Sequence, residues 1–238
     1  MLLSLFALLA LQQPLAPTER ICVRGDCGPE CEASPGRAEC ALTTKGACIT
    51  SAGKRLCFDP PIELLARSDV ATATCVVSAG SLACGYNCVT SGGKAACART
   101  PAGACDVRGG APLCADPPPD LWLVEGPVPP MTCEVRGTAR ACGYHCIATA
   151  SEVRCATTPL GACARAGNNV ACADPPPSIV RSLGKRTPQA QCLTSGSQVR
   201  CGYNCITASG QFFCAKTPLG RCEVVRSEPR CTDPPLSP

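Results

Sequence analysis

Short stretches of strand character recur along this chain, each bent about a two-residue centre that usually contains glycine. Cys75-Val76-Val77-Ser78 runs into Ala79-Gly80, and Ser81-Leu82-Ala83-Cys84 runs out of it. The same layout surrounds Pro35-Gly36, Ala52-Gly53, Gly92-Gly93, Gly109-Gly110, Gly137-Thr138, Gly167-Asn168, Gly196-Ser197 and Ser209-Gly210. Ala150-Ser151 and Arg226-Ser227 hold the same place without glycine. Two-residue hairpin turns of the I′ and II′ types need positive φ, which glycine adopts at little steric cost. The pattern therefore predicts a series of β-hairpins. A different pattern opens the chain, where residues 2–11 form an apolar run too short to cross a bilayer. With polar residues and Pro14 behind it, this run reads as a secretory signal within residues 1–16, cleaved between about Ala10 and Ala16.

Cysteine sets the boundaries of these hairpins. The chain holds 24 cysteines in 238 residues, in four groups of six. The spacing C-x8-C-x3-C-x8-C-x7-C-x8-C joins Cys75, Cys84, Cys88, Cys97, Cys105 and Cys114. It returns through Cys133, Cys142, Cys146, Cys155, Cys163 and Cys172, and again through Cys192, Cys201, Cys205, Cys214, Cys222 and Cys231. The first group, Cys22, Cys27, Cys31, Cys40, Cys48 and Cys57, shortens one x8 to x4. An even, repeated framework at this density predicts disulfides and an oxidising, extracytoplasmic compartment, the periplasm or the cell surface.

Ladder parity favours bonds that close each hairpin. If Ser78 and Ser81 flank the turn as a hydrogen-bonded pair, Cys75 and Cys84 fall on a non-hydrogen-bonded pair with Cα atoms about 4.5 Å apart. Removing four residues between Cys22 and Cys27 keeps that parity, with Arg24-Gly25 as the turn. Six cysteines allow 15 connectivities, and bonds between neighbouring hairpins stand as the alternative.

The predicted architecture is all-β and disulfide-rich. Four tandem modules of three short hairpins span residues 22–61, 75–118, 133–176 and 192–235. Pro-rich linkers of about 61–74, 118–132 and 176–191 join the modules as beads, whose packing against one another the sequence leaves open, with short structure near Leu121-Trp122-Leu123-Val124 able to pack back on a module. A module of about 40 residues buries too little apolar surface to fold unaided. Each ten-residue disulfide loop offers roughly 2.5–3 kcal/mol in the chain-entropy account. Val77, Leu82, Val153 and Phe212 are expected to pack beside the bonds.

The connections are patterned as well. Gly85-Tyr86-Asn87, Gly143-Tyr144-His145 and Gly202-Tyr203-Asn204 follow the first hairpins. Thr100-Pro101-Ala102-Gly103, Thr158-Pro159-Leu160-Gly161 and Thr217-Pro218-Leu219-Gly220 follow the second. Each module ends in Asp-Pro-Pro, at Asp59, Asp116, Asp174 and Asp233. The strings CGYxC, CAxTPxGxC and CxDPP resemble a family of small secreted, cysteine-rich bacterial proteins, a resemblance that covers the last three modules and implies no activity. Module 1 departs from it, with Gly28-Pro29-Glu30 and Thr43-Thr44 in place of the motifs.

Composition narrows the function classes. Zinc knuckles use C-x2-C or C-x4-C and commonly histidine, whereas His145 is this chain's sole histidine, so neither metal nor cofactor is expected. No Ser-His-Asp set, paired carboxylates or phosphate loop recurs with the modules, which argues against an enzyme. A net charge of +4 is scattered and aromatics make up 3% of residues, so no nucleic-acid face emerges. The expected partner is an extracellular protein or glycan, with no membrane span and an oligomeric state left open.

Three features invite a sharper reading. Arg24, Gly25 and Asp26 form a constrained adhesive-type tip if Cys22 pairs with Cys27, although Val-Arg-Gly is ordinary turn vocabulary in this chain. The x7 segments carrying Arg99 and Lys216 loosely resemble the nine-residue loop of Bowman-Birk protease inhibitors, which requires Cys97–Cys105 and excludes Cys88–Cys97. Tyr86, Tyr144 and Tyr203 offer a repeated ligand-stacking platform, or else each covers its own disulfide cluster. The Asp of Asp-Pro-Pro reads as a turn initiator, one carboxylate being too few for calcium.

Overall fold

A computed structural model describes residues 32–34, 37–65, 67–123 and 126–235. The proposed signal segment and the Arg24-Gly25-Asp26 tip, with Cys22, Cys27 and Cys31, lie outside these residues. Among them the chain forms five two-stranded and three three-stranded antiparallel sheets, with very little helix. Module 1 contributes β1 (Glu32–Ser34) with β2 (Arg37–Glu39), and β3 (Ala47–Ser51) with β4 (Lys54–Phe58). Module 2 holds β5 (Thr74–Ser78), β6 (Ser81–Ser91), β7 (Lys94–Ala98), β8 (Ala104–Asp106) and β9 (Leu113–Ala115). Module 3 holds β10 (Thr132–Arg136), β11 (Ala139–Ala148), β12 (Val153–Ala156), β13 (Ala162–Ala166) and β14 (Asn169–Ala173). Module 4 holds β15 (Gln191–Ser195), β16 (Gln198–Ala208), β17 (Gln211–Ala215), β18 (Arg221–Val225) and β19 (Glu228–Thr232).

Ten disulfides bind the described strands, each between partners nine residues apart and each closing one hairpin, from Cys48–Cys57 to Cys222–Cys231. Ser78 faces Ser81 and Cys75 faces Cys84, with Cα atoms 4.0 Å apart. This is the close, non-hydrogen-bonded pair that parity predicts. Cys40 is also disulfide-bonded.

The first two hairpins of modules 2, 3 and 4 are not separate. They share one long strand, β6, β11 or β16, and make a three-stranded meander. The Gly-Tyr-x segment is therefore a bulge inside that strand, where the register shifts, and not a joint between units. The bulge needs a left-handed residue, and Asn87, His145 and Asn204 take φ of 47°, 49° and 45°. Asparagine tolerates this region better than most side chains.

Turn chemistry explains the two glycine-free centres differently. At Ala150-Ser151 the Thr149 hydroxyl accepts N–H bonds from Ser151 and Glu152, at 3.4 and 3.0 Å, so the turn needs no positive φ. Arg226 and Ser227 do take positive φ, 51° and 68°, without glycine. The double replacement Arg226→Asn, Ser227→Gly is expected to stabilise module 4 by about 1 kcal/mol, read from chemical denaturation. An unchanged or lower midpoint contradicts the strain assigned to this turn.

The modules are stacked rather than strung as beads. Strand β3 packs on β5 and β6, β8 and β9 on β10 and β11, and β13 and β14 on β15 and β16. The connecting segments fold into a second layer. Helix α1 (Ile62–Leu65) and α2 (Pro177–Leu183) both pack against a 3-10 helix over Pro119–Leu123. Leu64, Leu121, Trp122, Ile179 and Val180 are buried there. Asp120 pairs with Arg181 at 3.1 Å, and Arg67 lies over the Trp122 ring, 5.7 Å from its centroid. Proline in these segments thus shapes a turn back onto the array. Of the residues expected beside the disulfides, Val153 is buried, but Val77 is 41% exposed. Its strand faces solvent on that side, and the core lies instead at the module boundaries.

Candidate functional site

Each module boundary is built around one tyrosine. Tyr144 is buried with Met131 and Ala156, and Ala104 and Ala115 of the preceding module pack against it. Tyr203 is buried with Ala190 and Ala215 against Ala162 and Ala173. Tyr86 sits with Ala47 and Leu64, and meets Phe58 edge-on with ring centroids 6.1 Å apart. Ala47 and Phe58, Ala104 and Ala115, and Ala162 and Ala173 each flank the bonded cysteines of the preceding module's last hairpin. The small alanine pairs leave room for the incoming ring. The tyrosines are 3–6% exposed, so they offer no face for a ligand to stack on. Each packs beside a bonded cysteine of its own module, Cys75, Cys163 or Cys222, as expected of a residue covering its disulfide cluster, and in addition joins its module to the preceding one.

The phenol groups reach onward to the connecting segments. Tyr86 donates to the Ala71 carbonyl at 3.1 Å, and Tyr144 to that of Pro129 at 2.8 Å. The Tyr203 hydroxyl is buried with no partner among the described residues. A backbone bond reinforces each boundary: Ala73, Met131 and Ala190 donate to the carbonyls of Lys45, Ala102 and Leu160. Burial pushes the Tyr86 and Tyr144 phenols up to about 12. Burial and the charge of Asp174 raise Tyr203 as well. A phenol whose folded pKa exceeds its unfolded value of about 10 stabilises the fold fully below pH 10, and that contribution is lost as pH rises through 12. Native phenolate absorbance is accordingly expected to develop near pH 12, and near pH 10 after reduction and denaturation. A native midpoint at 10 contradicts the buried boundary.

Asp-Pro-Pro and Thr-Pro-x-Gly form a second device, which sequence reasoning missed. The Asp174 carboxylate accepts the Thr158 hydroxyl at 2.9 Å, the Thr158 N–H at 2.8 Å and the Thr157 N–H at 2.9 Å. Asp116, Asp233 and Asp59 repeat the clamp on Thr100, Thr217 and Thr43. Module 1 therefore keeps it although Thr44 replaces proline. Burial pushes Asp233 up, but the Lys216 N–H and the Thr217 hydroxyl and N–H outweigh that and hold its carboxyl below the usual range. The constant 16-residue separation of Thr and Asp in all four modules was the signal available in the sequence.

The bulge residue completes the same loop. Asn87 donates to the carbonyls of Pro101 and Gly103, at 3.1 and 2.6 Å, and Asn204 likewise to Pro218 and Gly220. His145 reaches only the Pro159 carbonyl, at 3.1 Å. The replacement His145→Asn is expected to stabilise module 3 by roughly 1 kcal/mol through a second bond and easier left-handed backbone. A lower denaturation midpoint would count against the role given to this position.

Arg99 and Lys216 are exposed, and their backbone N–H groups bind Asp116 and Asp233 at 2.9 and 3.1 Å. Their cysteines pair as Cys88–Cys97 and Cys205–Cys214. The nine-residue inhibitor loop, which needs Cys97–Cys105, is therefore not formed. Among the described residues no group of three or more His, Cys, Asp or Glu is placed to hold a metal ion, and no helix is long and apolar enough to cross a membrane. No protein-family model, no curated protein and no solved structure matches the chain.

Proposed function

We propose that the chain is an exported, noncatalytic repeat protein, a stapled spine that presents its hairpin tips to an extracellular protein or glycan. The observation that carries this reading is where the recurring residues are used. The motif glycine, tyrosine, threonine and aspartate of modules 2, 3 and 4 are all engaged in their own loop or in the boundary with the module before. What varies from module to module is the tips, as at the first hairpins Ala79-Gly80, Gly137-Thr138 and Gly196-Ser197. A rigid array of such tips binds through repetition, gaining avidity without new contacts. Disulfide density on this scale is typical of extracellular proteins and supports export.

The test is retention of the oxidised chain on a panel of immobilised polysaccharides and matrix proteins. Retention on at least one polymer, abolished by reduction and with polymer length unchanged, is expected. Failure to bind any member of the panel, or shortening of the bound polymer, overturns the reading.

A further inference from the structure

The boundary between modules 3 and 4 differs from the one before it. At the earlier boundary Arg140 crosses from β11 to the tip of the preceding hairpin and donates to the carbonyls of Arg108 and Ala111. Its side chain fills that space so closely that a Cβ on Gly109 would lie 3.1 Å from it. Counting from the first cysteine of each module, Val199 occupies the place of Arg140. Valine is too short to cross, and a cleft of about 390 Å3 opens there, within the size range of small-ligand sites.

The lining of this cleft has a definite chemistry. Asn169, Gln198, Arg200 and Gln211 are exposed around the half-buried Phe212 and Val199, with the buried Val170 also lining the cleft. Asn169 is held in place by donating to the Ser197 carbonyl at 2.7 Å, which leaves its amide oxygen as an acceptor. Three amides present paired donors and acceptors, suited to neighbouring hydroxyls of a sugar ring. Phe212 offers an apolar surface to the C–H face of such a ring, and Arg200 a fork for a carboxylate. No acidic side chain lines the cleft.

We infer that the cleft between modules 3 and 4 is a binding site for a carboxylated saccharide, a uronic-acid oligosaccharide. This rests on the binding-module reading above and assigns its ligand class to one place. Arg200 and the amides carry recognition, and Val199 is the residue that keeps the site open.

The experiment uses the full oxidised chain and a galacturonic-acid tetramer, titrated by calorimetry at low salt, with maltotetraose and hexaglutamate as comparisons. Saturable binding of the acidic sugar is expected, with little for the neutral one. Val199→Arg reproduces a side chain that the fold already accepts at position 140, and should plug the cleft while leaving circular dichroism and the disulfides unchanged. It and the exposed-site variant Arg200→Ala should each weaken binding at least about tenfold. Absence of binding, equal binding of maltotetraose, displacement by hexaglutamate, or undiminished affinity in Val199→Arg overturns the assignment. If the panel experiment still shows retention, only the cleft has failed; if retention also fails, the binding-module reading falls with it.

Discussion

Gly161→Ala is expected to cost module 3 at least about 3 kcal/mol. A Cβ at this position would lie 2.6 Å from that of Ala156 and 2.9 Å from the Ala173 carbonyl oxygen, and closer still to the Asp174 carboxylate. Two of these are backbone or Cβ atoms held in strands, so those clashes are relieved only by shifting backbone, and the third only by moving the carboxylate. Moving it breaks three hydrogen bonds to Thr157 and Thr158. Overpacking costs roughly 1–3 kcal/mol, and each lost bond adds about 1. Gly137→Ala is the matched comparison. Its φ is +57° and nothing lies within 4 Å of the added carbon, so it should cost only about 1 kcal/mol of backbone strain. Denaturant unfolding of both variants separates crowding from conformation, and similar losses would contradict the clamp.

Tyr144→Ala is expected to uncouple modules 2 and 3, with a loss of about 3–5 kcal/mol. The ring fills the space between Met131, Ala156 and the alanine pair Ala104 and Ala115, all small or linear side chains that cannot close over the gap. In a stacked array stability is divided between units and their interfaces, so deleting one interface should split a shared transition into two. Removing only the hydroxyl gives a finer test. Tyr144→Phe gives up the bond to Pro129 and should cost about 1 kcal/mol. Tyr203→Phe removes an unpaired buried hydroxyl, and should be neutral or stabilising. Unequal protection from hydrogen exchange across residue 144 would report the uncoupling directly. A single unchanged transition in Tyr144→Ala would contradict it.

What the chain disclosed and what it withheld follow from the range of the interactions. Hairpin pairing was legible because strand geometry has a period of two: eight residues between cysteines, with a turn dipeptide at the middle, leave little freedom of register. Cys75 facing Cys84 follows from counting. The stacking of modules was not legible, because its partners are ordinary alanines such as Ala104 and Ala162, and the tyrosine they receive belongs to the next module. Helices as short as Ile62–Leu65 display no apolar periodicity, so that segment resembled a spacer, whereas the apolar run at Leu121-Trp122-Leu123 did signal the short 3-10 helix that packs back. The aspartate clamp lay between these extremes. Its residues were noticed singly, but the hydrogen bond spans 16 residues and no local rule joins them.

The fourth module ends the described stack with altered chemistry. Arg221 and Thr232 stand where Ala162 and Ala173 receive a tyrosine in module 3, and both are exposed. Leu219, at the position of Leu160, is 56% exposed.

The stacked array depends on sulfur joining the two arms of each single hairpin. Proteolysis of the oxidised chain without reduction, followed by mass spectrometry of the linked peptides, tests this most directly. Linked peptides joining Cys88–Cys97, Cys146–Cys155 and Cys205–Cys214 are expected, with no unbonded thiol. Recovery of Cys97–Cys105, of bonds between neighbouring hairpins, or of free sulfhydryls would contradict it.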